Sequence, residues 1–467
     1  MGFRRLPGRS GSFPVCGVRV SRIILIGINY APENIGTGKY TGELAEWLVA
    51  RGHQVRVITA PPYYPAWEVW LGHRTRWFHR ERIAGVEVIR CPIWVPAQPR
   101  GLTRMLHLAS FAFTSLLAMI HSLAWRPQLV INIAPTLASA PGAWALARLS
   151  RARCWLHIQD FEMDAAMDMG IVHAGLLRRF ALATERWLLR RFDRVSTISS
   201  RMLDKLSAKG VPPQRQVFFP NWVDTDAIRP LIEPSPYRAE LAIPADAVVA
   251  LYSGNMGLKQ GLELLGEAAR GLSPASLPLP PAGEGARRAD GVSSCPAPDL
   301  YFVFGGEGPA RAMLEQACAG LPNVRFLDLQ PTERLRDWLG LADIHLLPQR
   351  ADVADLVMPS KLTGMLASGR AILATALPAT GVAQAVASCG LVTPPGNVEA
   401  FVAALRELTA DAGLRTRLGH AAREQALATL SRDAVLDAFK QQLHRLLGTA
   451  SAEPGKHYSS SDLRNDP

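Results

Sequence analysis

Two stretches carry the residues best suited to chemistry: residues 358–369, MPSKLTGMLASG, and residues 251–261, LYSGNMGLKQG. The first reads as a Pro-Ser turn opening a helix, with Lys361 in its first turn. Proline at the first helical position and serine just after it suit such a start. A helix N-terminus offers free N–H groups and a positive dipole end, which suit a diphosphate. The second stretch reads as a buried strand, a glycine-rich turn and a helix with Lys259 at its start. Gly254 and Gly257 would let backbone N–H groups come close to phosphate oxygens. Gly305, Gly306 and Gly308 lie between the two stretches. Each stretch alone is a weak signal. Their order in one chain is a stronger one, and it points to a pocket for a diphosphate-bearing ligand.

Composition bounds what such a pocket serves. The chain has 467 residues, enough for two or three domains; 48% are hydrophobic and 19% charged, which suits a large buried core. A net charge of +11 suits an anionic partner: a phosphorylated substrate, an anionic membrane or nucleic acid. Nucleic acid would explain the charge but not the glycine loops. Six cysteines are scattered with no C-x-x-C pair and no histidine cluster nearby, which fits a reducing compartment and speaks against structural zinc. Residues 1–20 are basic and broken by Gly and Pro, so they read as a disordered extension or an upstream start-codon error.

The elements that position these residues follow in order. Residues 22–27, RIILIG, read as a buried parallel strand. A glycine-containing loop leads into a helix ending near Ala50, with Leu44, Trp47 and Leu48 on one face and Gly52 as its stop. A second strand at 54–59 completes a βαβ opening. Gly36, Thr37 and Gly38 sit in the strand-to-helix loop, where open α/β sheets bind ligands. The loop is not G-x-G-x-x-G and lacks the acidic residue of a dinucleotide site, which excludes NAD; His53 reads as a turn residue. Residues 61–77 form a long aromatic loop whose rings either stack on sugar or lipid or pack against the domain. Residues 100–125 hold the most apolar helix. It is marginal for a bilayer span, and reads as buried or as lying on a membrane surface with Arg100 and Arg104 at its head.

Further strands are expected at 85–91, 129–133, 154–158 and 195–198. Asp160 and Glu162 leave the sheet at a strand's C-terminal end, as acid/base or hydroxyl-binding groups or as capping and solvated carboxylates. Residues 176–192 form an amphipathic helix with Arg178, Arg179, Arg186, Arg190 and Arg191 on a basic face, for anionic lipid or for solvent. Residues 218–230 read as a linker. Its Asp224 and Asp226 resemble a metal pair, but the surrounding Pro and Asn favour a turn. The second half repeats the logic, with strands at 248–253, 301–304, 324–327, 344–347 and 371–374. A low-complexity surface insertion occupies 271–298, helix fills 400–446, and 450–467 reads as a disordered tail.

This ordered set resembles the retaining glycosyltransferases of family 4, from about residue 22 to residue 447. The matching pieces are Gly36-Thr37-Gly38, RGHQV at 51–55, PNWVD at 220–224, SGNMGLKQG at 253–261, FGGEGP at 304–309 and PSKLTGMLASG at 359–369. The resemblance implies an α/β GT-B fold: two facing Rossmann-like domains with parallel sheets and a C-terminal helical segment. It implies an acceptor domain at 21–218, a linker at 219–236, a nucleotide-sugar domain at 237–430 and a closing helix at 431–449. Gly254, Asn255, Gly305, Gly306, Glu307, Ser360, Lys361 and Leu362 would then bind the donor. Lys259 and Lys361 would stabilise the departing nucleotide diphosphate. Gly36, Thr37, Gly38 and Glu162 would face the acceptor, and Asp160 would be the catalytic candidate in the cleft.

Within the family the likeness is to exopolysaccharide-building enzymes. That implies a nucleotide diphosphate sugar as donor, GDP- or UDP-linked and in this subgroup GDP-fucose. It implies a polyprenyl-diphosphate-linked saccharide as acceptor, no metal, no separate cofactor, and a cytoplasmic protein held peripherally on the anionic inner membrane. Retention by front-face attack needs no enzymic nucleophile, and none is evident. There are departures. The family carries two glutamates eight positions apart, where this chain has Leu356 and Gly364, with Asp355 one residue from the first. The family's lysine before glycine aligns with Gln260, leaving Lys259 adjacent. The missing glutamates leave a catalytically inactive GT-B scaffold as one alternative; a GT-B UDP-sugar epimerase is the other.

Overall fold

The computed structural model describes residues 20–33, 36–64, 66–74, 77–97, 101–161, 176–273, 299–351, 359–378 and 380–448. The expected N-terminal extension up to residue 19, the insertion from residue 274 on, the C-terminal tail and Glu162 lie outside them.

Eight strands form the first sheet: β1 (Arg22–Ile26), β2 (Gln54–Thr59), β3 (His79–Ile83), β4 (Val86–Arg90), β5 (Leu129–Ala134), β6 (Arg153–Ile158), β7 (Arg194–Thr197) and β8 (Gln216–Phe218). Their order is β3-β4-β2-β1-β5-β6-β7-β8. β1 pairs in parallel with both β2 and β5, in a register that sets Ile23 against Val55 and Leu129. β1, β2 and β5 are almost wholly buried, as suits apolar-rich strands covered on both faces, and they carry Arg56, Thr59 and Asn132 into the interior as well. β3 was not expected. Its sequence, HRERI, is polar because it is an antiparallel edge strand on β4, and charge on an edge blocks further pairing.

Helix α1 (Thr37–Ala50) buries Leu44, Ala45 and Leu48, while Gly52, at φ 86, takes the chain into β2. His53 accepts a hydrogen bond from Ser21 N at 3.3 Å, a structural role. Of the two readings of the apolar helix, buried or surface-lying, helix α2 (Gly101–His121) is not the fully buried one. One stripe, His107, Phe111, Ser115, Ala118 and Met119, packs inward, and Met119 lies close over Gly142. Leu102, Met105, Leu106, Phe113, Leu117 and Ile120 remain exposed. By length and composition α2 and the turn after it suffice to cross a bilayer, but the packed stripe ties this helix to the protein.

Six strands form the second sheet: β9 (Val248–Ser253), β10 (Leu300–Gly305), β11 (Val324–Leu327), β12 (Ile344–Leu347), β13 (Ala371–Thr375) and β14 (Gly390–Thr393). They run in the order β11-β10-β9-β12-β13-β14, and each neighbouring pair is parallel. β14 escaped the sequence reading because GLVT is short and opens with glycine. Alternate residues feed two cores. Val249, Leu251, Tyr301 and Val303 join one, and Val248, Ala250, Tyr252, Phe302 and Phe304 join the other. Each fully buried Leu, Val or Phe stabilises by about 1.5–3 kcal/mol.

By packing, the chain divides into a unit that ends at Leu156 and resumes at Lys440, and a second unit, His157–Phe439. This packing division does not coincide with the domains expected at 21–218 and 237–430, and it falls within β6. In the expected linker, the Phe219 ring lies 5.0 Å from His157, 5.6 Å from Trp222 and 4.9 Å from Phe439, an aromatic cluster that packs this segment. The linker is ordered by backbone bonds from Val223 N to Leu430 O (2.8 Å) and from Arg432 N to Val223 O (2.9 Å). Asp224 accepts from Asp226 N and Ala227 N, and pairs with Arg432 at 2.9 Å; it is a turn residue.

Candidate functional site

The glycine loops lie where β9 and β10 end side by side. Gly254 N donates to Gly305 O at 3.0 Å, and Met256 N to Glu307 O at 2.8 Å. Gly254, Gly306 and Gly308 have φ of 126, 138 and 146, values open to glycine alone. A Cβ on Gly306 would sit 1.9 Å from Gly254 O, and one on Gly305 would sit 2.1 Å from a Trp338 ring atom. These glycines let two loops touch backbone to backbone. The amides of Gly254 and Gly306 are engaged, by Gly305 O and by Leu327 O, so the Gly254 N–H expected to approach phosphate is already used within the fold. Gly257 is different. It has an ordinary φ of −79, it opens the 3-10 turn Leu258–Gln260, and a Cβ there would make only ordinary contacts, 3.6 Å from Asn255 Nδ2.

The helix Ser360–Ala367 points Lys361 at these loops. Pro359 is its N-cap, with extended ψ, so the proline stands one position earlier than expected and Ser360 is the first helical residue. The Lys361 ammonium donates to Gln260 Oε1 at 3.2 Å and lies 4.1 Å from the Tyr252 ring centroid. Tyr252 is fixed in turn by its hydroxyl, which donates to Asn255 O at 2.7 Å. A Cβ on Gly254 would come 3.4 Å from Lys361 Cδ, so the glycine also makes room for the lysine. Among the described residues Lys361 has no carboxylate partner. Its side chain keeps some exposed surface, but the protein packed around the ammonium pushes its pKa down to about 7. A cation desolvated without a counter-ion is a place where an anion gains most.

The other predicted donor residues divide. Ser360, Asn255 and Glu307 are exposed. Leu362 is 1% exposed within a hydrophobic core, so it holds the helix in place and does not meet a ligand. Lys259 lies in the 3-10 turn beside Gln260, and its side chain falls outside the described residues.

In the first unit, Gly36 (φ 61) caps α1. Thr37 Oγ1 donates to Asn29 Oδ1 at 3.3 Å, and a Cβ on Gly38 would lie 2.6 Å from Glu33 O. The sequence reading missed Glu33. It is 2% exposed; Oε2 accepts from Asn29 Nδ2 at 2.8 Å, and Oε1 accepts from Tyr63 N and Tyr64 N, each at 2.7 Å. Burial raises its pKa against the opposing pull of those bonds. One carboxylate thus ties the loop after β1 to the aromatic loop after β2. The only hint was an acidic residue placed in a loop otherwise rich in Gly, Pro and Asn. Asp160 lies just past β6, in the second unit, half-buried and already engaged by a neighbour.

Comparison with known proteins decides what chemistry this scaffold serves. Residues 36–222 match the glycosyl transferase 4-like domain, and residues 248–411 match the glycosyl transferases group 1. The chain belongs to glycosyltransferase family 4. This glycosyltransferase is 39% identical, over 431 residues, to the Escherichia coli K12 protein named for colanic acid biosynthesis as the glycosyl transferase WcaI; the match covers 90% of this chain and 98% of that one. Its fold is GT-B, as the motifs implied. Sucrose-phosphate synthase from Thermosynechococcus elongatus superposes with a TM-score of 0.67 at 18% identity, covering 92% of this chain and all of that one. Anabaena HepE, solved in complex with UDP, superposes with a TM-score of 0.64 at 14% identity, covering 91% of this chain and all of HepE.

Proposed function

We propose that this glycosyltransferase takes a sugar from a nucleotide diphosphate sugar held at the Gly254, Gly257 and Lys361 loops, and passes it to a lipid-diphosphate-linked saccharide in exopolysaccharide assembly. The observation that carries the reading is Lys361: a cation without a carboxylate partner among the described residues, set against two glycine loops at the ends of parallel strands. The ends of such strands are where open α/β sheets take ligands. The likeness to WcaI supports exopolysaccharide as the product and GDP-fucose as the first donor to try. The UDP complex of HepE makes UDP-sugars the second.

The chemistry needs little of the protein beyond charge. As the bond from the sugar's anomeric carbon to the diphosphate oxygen breaks, negative charge gathers on that oxygen. Lys361 is the group placed to stabilise it. The acceptor hydroxyl forms its bond to the anomeric carbon on the same face, and its proton passes to the departing phosphate oxygen. No step uses a metal or a separate cofactor.

The acceptor's lipid calls for a membrane surface. The exposed apolar face of α2 and the exposed Arg179, Arg186, Arg190 and Arg191 support peripheral docking on anionic lipid from the cytoplasmic side. Thermal shift with GDP, UDP and ADP, followed by transfer assays with the stabilising nucleotide's sugars and a polyprenyl-diphosphate saccharide, tests the reading. Absence of any nucleotide shift in a protein that melts cooperatively would sink it.

A further inference from the structure

A cavity of about 660 Å³ lies against the aromatic loop after β2, lined by Pro61, Trp67, Glu68, Arg74, Ile93 and Val95 among others. Small-ligand sites have volumes of this order. The walls are of three kinds. Trp67 offers an aromatic face. Glu68 and Arg74 form an ion pair whose side chains are both more than half exposed, so their remaining donors and acceptors are open to a ligand. Pro61, Ile93 and Val95 are apolar. An aromatic face beside a carboxylate and a guanidinium is the chemistry that recognises a sugar ring. The C–H face stacks on the indole, and hydroxyls donate to the carboxylate and accept from the guanidinium.

Trp67 holds its position against its own preference. Its φ is 56, a left-handed conformation rare for a bulky side chain. The turn around it is fixed by Glu68 N donating to Tyr63 O (3.3 Å) and Trp70 N donating to Pro62 O (3.0 Å). Its ring packs on Tyr63 at 5.6 Å and on His107 at 5.2 Å. Glu33 anchors the start of this loop through Tyr63 N and Tyr64 N. Backbone strain that the surrounding structure over-determines is concentrated where a side chain must be aimed.

His107 backs the Trp67 ring. It is 1% exposed, and its Nδ1 lies 2.7 Å from Trp94 O. A carbonyl oxygen only accepts, so Nδ1 carries the proton and Nε2 presents a lone pair. Nε2 is buried and has no partner among the described residues. Burial also lowers the pKa of the ring, which keeps it neutral.

We propose that this cavity is a saccharide-binding site with Trp67 as its stacking platform, and that it holds the sugar end of the acceptor. The sugar chemistry stands on the cavity; the role as acceptor subsite rests on the transfer reading above.

Saturation-transfer NMR on the full chain tests it, with methyl β-glucoside, methyl β-galactoside, methyl α-fucoside and lactose as probes. Wild type is expected to show transfer to at least one of them. Trp67→Asn keeps a residue that tolerates positive φ and removes the aromatic face, and should weaken that binding about tenfold. Arg74→Ser changes an exposed side chain that the fold does not need, and should weaken it several-fold. Thermal shift with GDP and UDP on the same samples reports on the second unit. No transfer to any probe in wild type, or equal binding by both variants, overturns the site and leaves the transferase reading standing if a nucleotide still shifts the melt. Sugar binding without any nucleotide shift does the reverse. Trp67-dependent binding of farnesyl phosphate in place of every sugar overturns the proposal in favour of a lipid pocket.

Discussion

The Lys361 ammonium lies 4.1 Å from the centroid of the Tyr252 ring. Lys361 and its hydrogen-bond acceptor, Gln260, are 101 residues apart in the chain, and neither the ring nor the amide carries a charge to balance it. A π-face and an amide oxygen orient an ammonium without neutralising it, so the site keeps its appetite for an anion.

Lys361→Met is expected to reduce sugar transfer by a factor of about 100–1,000, the order seen when one charge-stabilising group is lost. Fold should be preserved. The folded pKa of about 7 lies below the unfolded value of 10.5. Between these values the unfolded chain holds more protons, so stability from this group rises with pH from about 7 toward 10.5. The variant should lose that slope in a melting-temperature series. Full transfer activity in a folded Lys361→Met protein would refute the role.

Diphosphate binding should take up a proton. An anion beside Lys361 raises its pKa from about 7, so at pH 8 a neutral lysine becomes charged on binding. Affinity for GDP or UDP should be flat below pH 7 and fall above it, by at most about tenfold per pH unit. Calorimetry in buffers of different ionisation enthalpy measures the uptake directly. Equal uptake in wild type and Lys361→Met would show that another group titrates.

Gly306→Ala and Gly257→Ala separate packing from tolerance. At Gly306 the new Cβ would meet Gly254 O at 1.9 Å with φ at 138, so the loop must move, with a cost of about 3 kcal/mol or more. At Gly257 its nearest neighbour is 3.6 Å away and φ is ordinary, so the change should stay within about 0.5 kcal/mol. Chemical denaturation of the two variants checks this. Equal stability would contradict the close approach of the two loops.

Leu106→Glu with Phe113→Glu addresses the membrane. Both residues are exposed on α2, 51% and 68%, so the double variant should melt like wild type. Its binding to sedimented vesicles rich in phosphatidylglycerol should drop at least tenfold if this face enters the lipid boundary. Unchanged sedimentation would remove α2 from the docking surface.

Much of the fold was legible in the chain because buried parallel strands leave a local mark. RIILIG, LVINIA and LYFVFG are mostly apolar, since both faces are covered, and glycine marks the end of the first and the last of them. β3 and β14 were not legible, because an edge strand is selected to be polar and a short one carries too little pattern. Of the site, the types and order of Gly254, Gly306 and Lys361 were readable, since only glycine lets backbones touch and only a few residues carry charge into a core. Their actual partners were not. Whether a glycine amide is free or engaged, whether Leu362 faces a ligand or the core, and whether Glu33 meets Tyr63 and His107 meets Trp67 depend on helix phase and on loops brought together from distant strands. Propensity and periodicity act over a few residues. Pairing across the sheet is set by packing, and packing exists only once the whole core has formed.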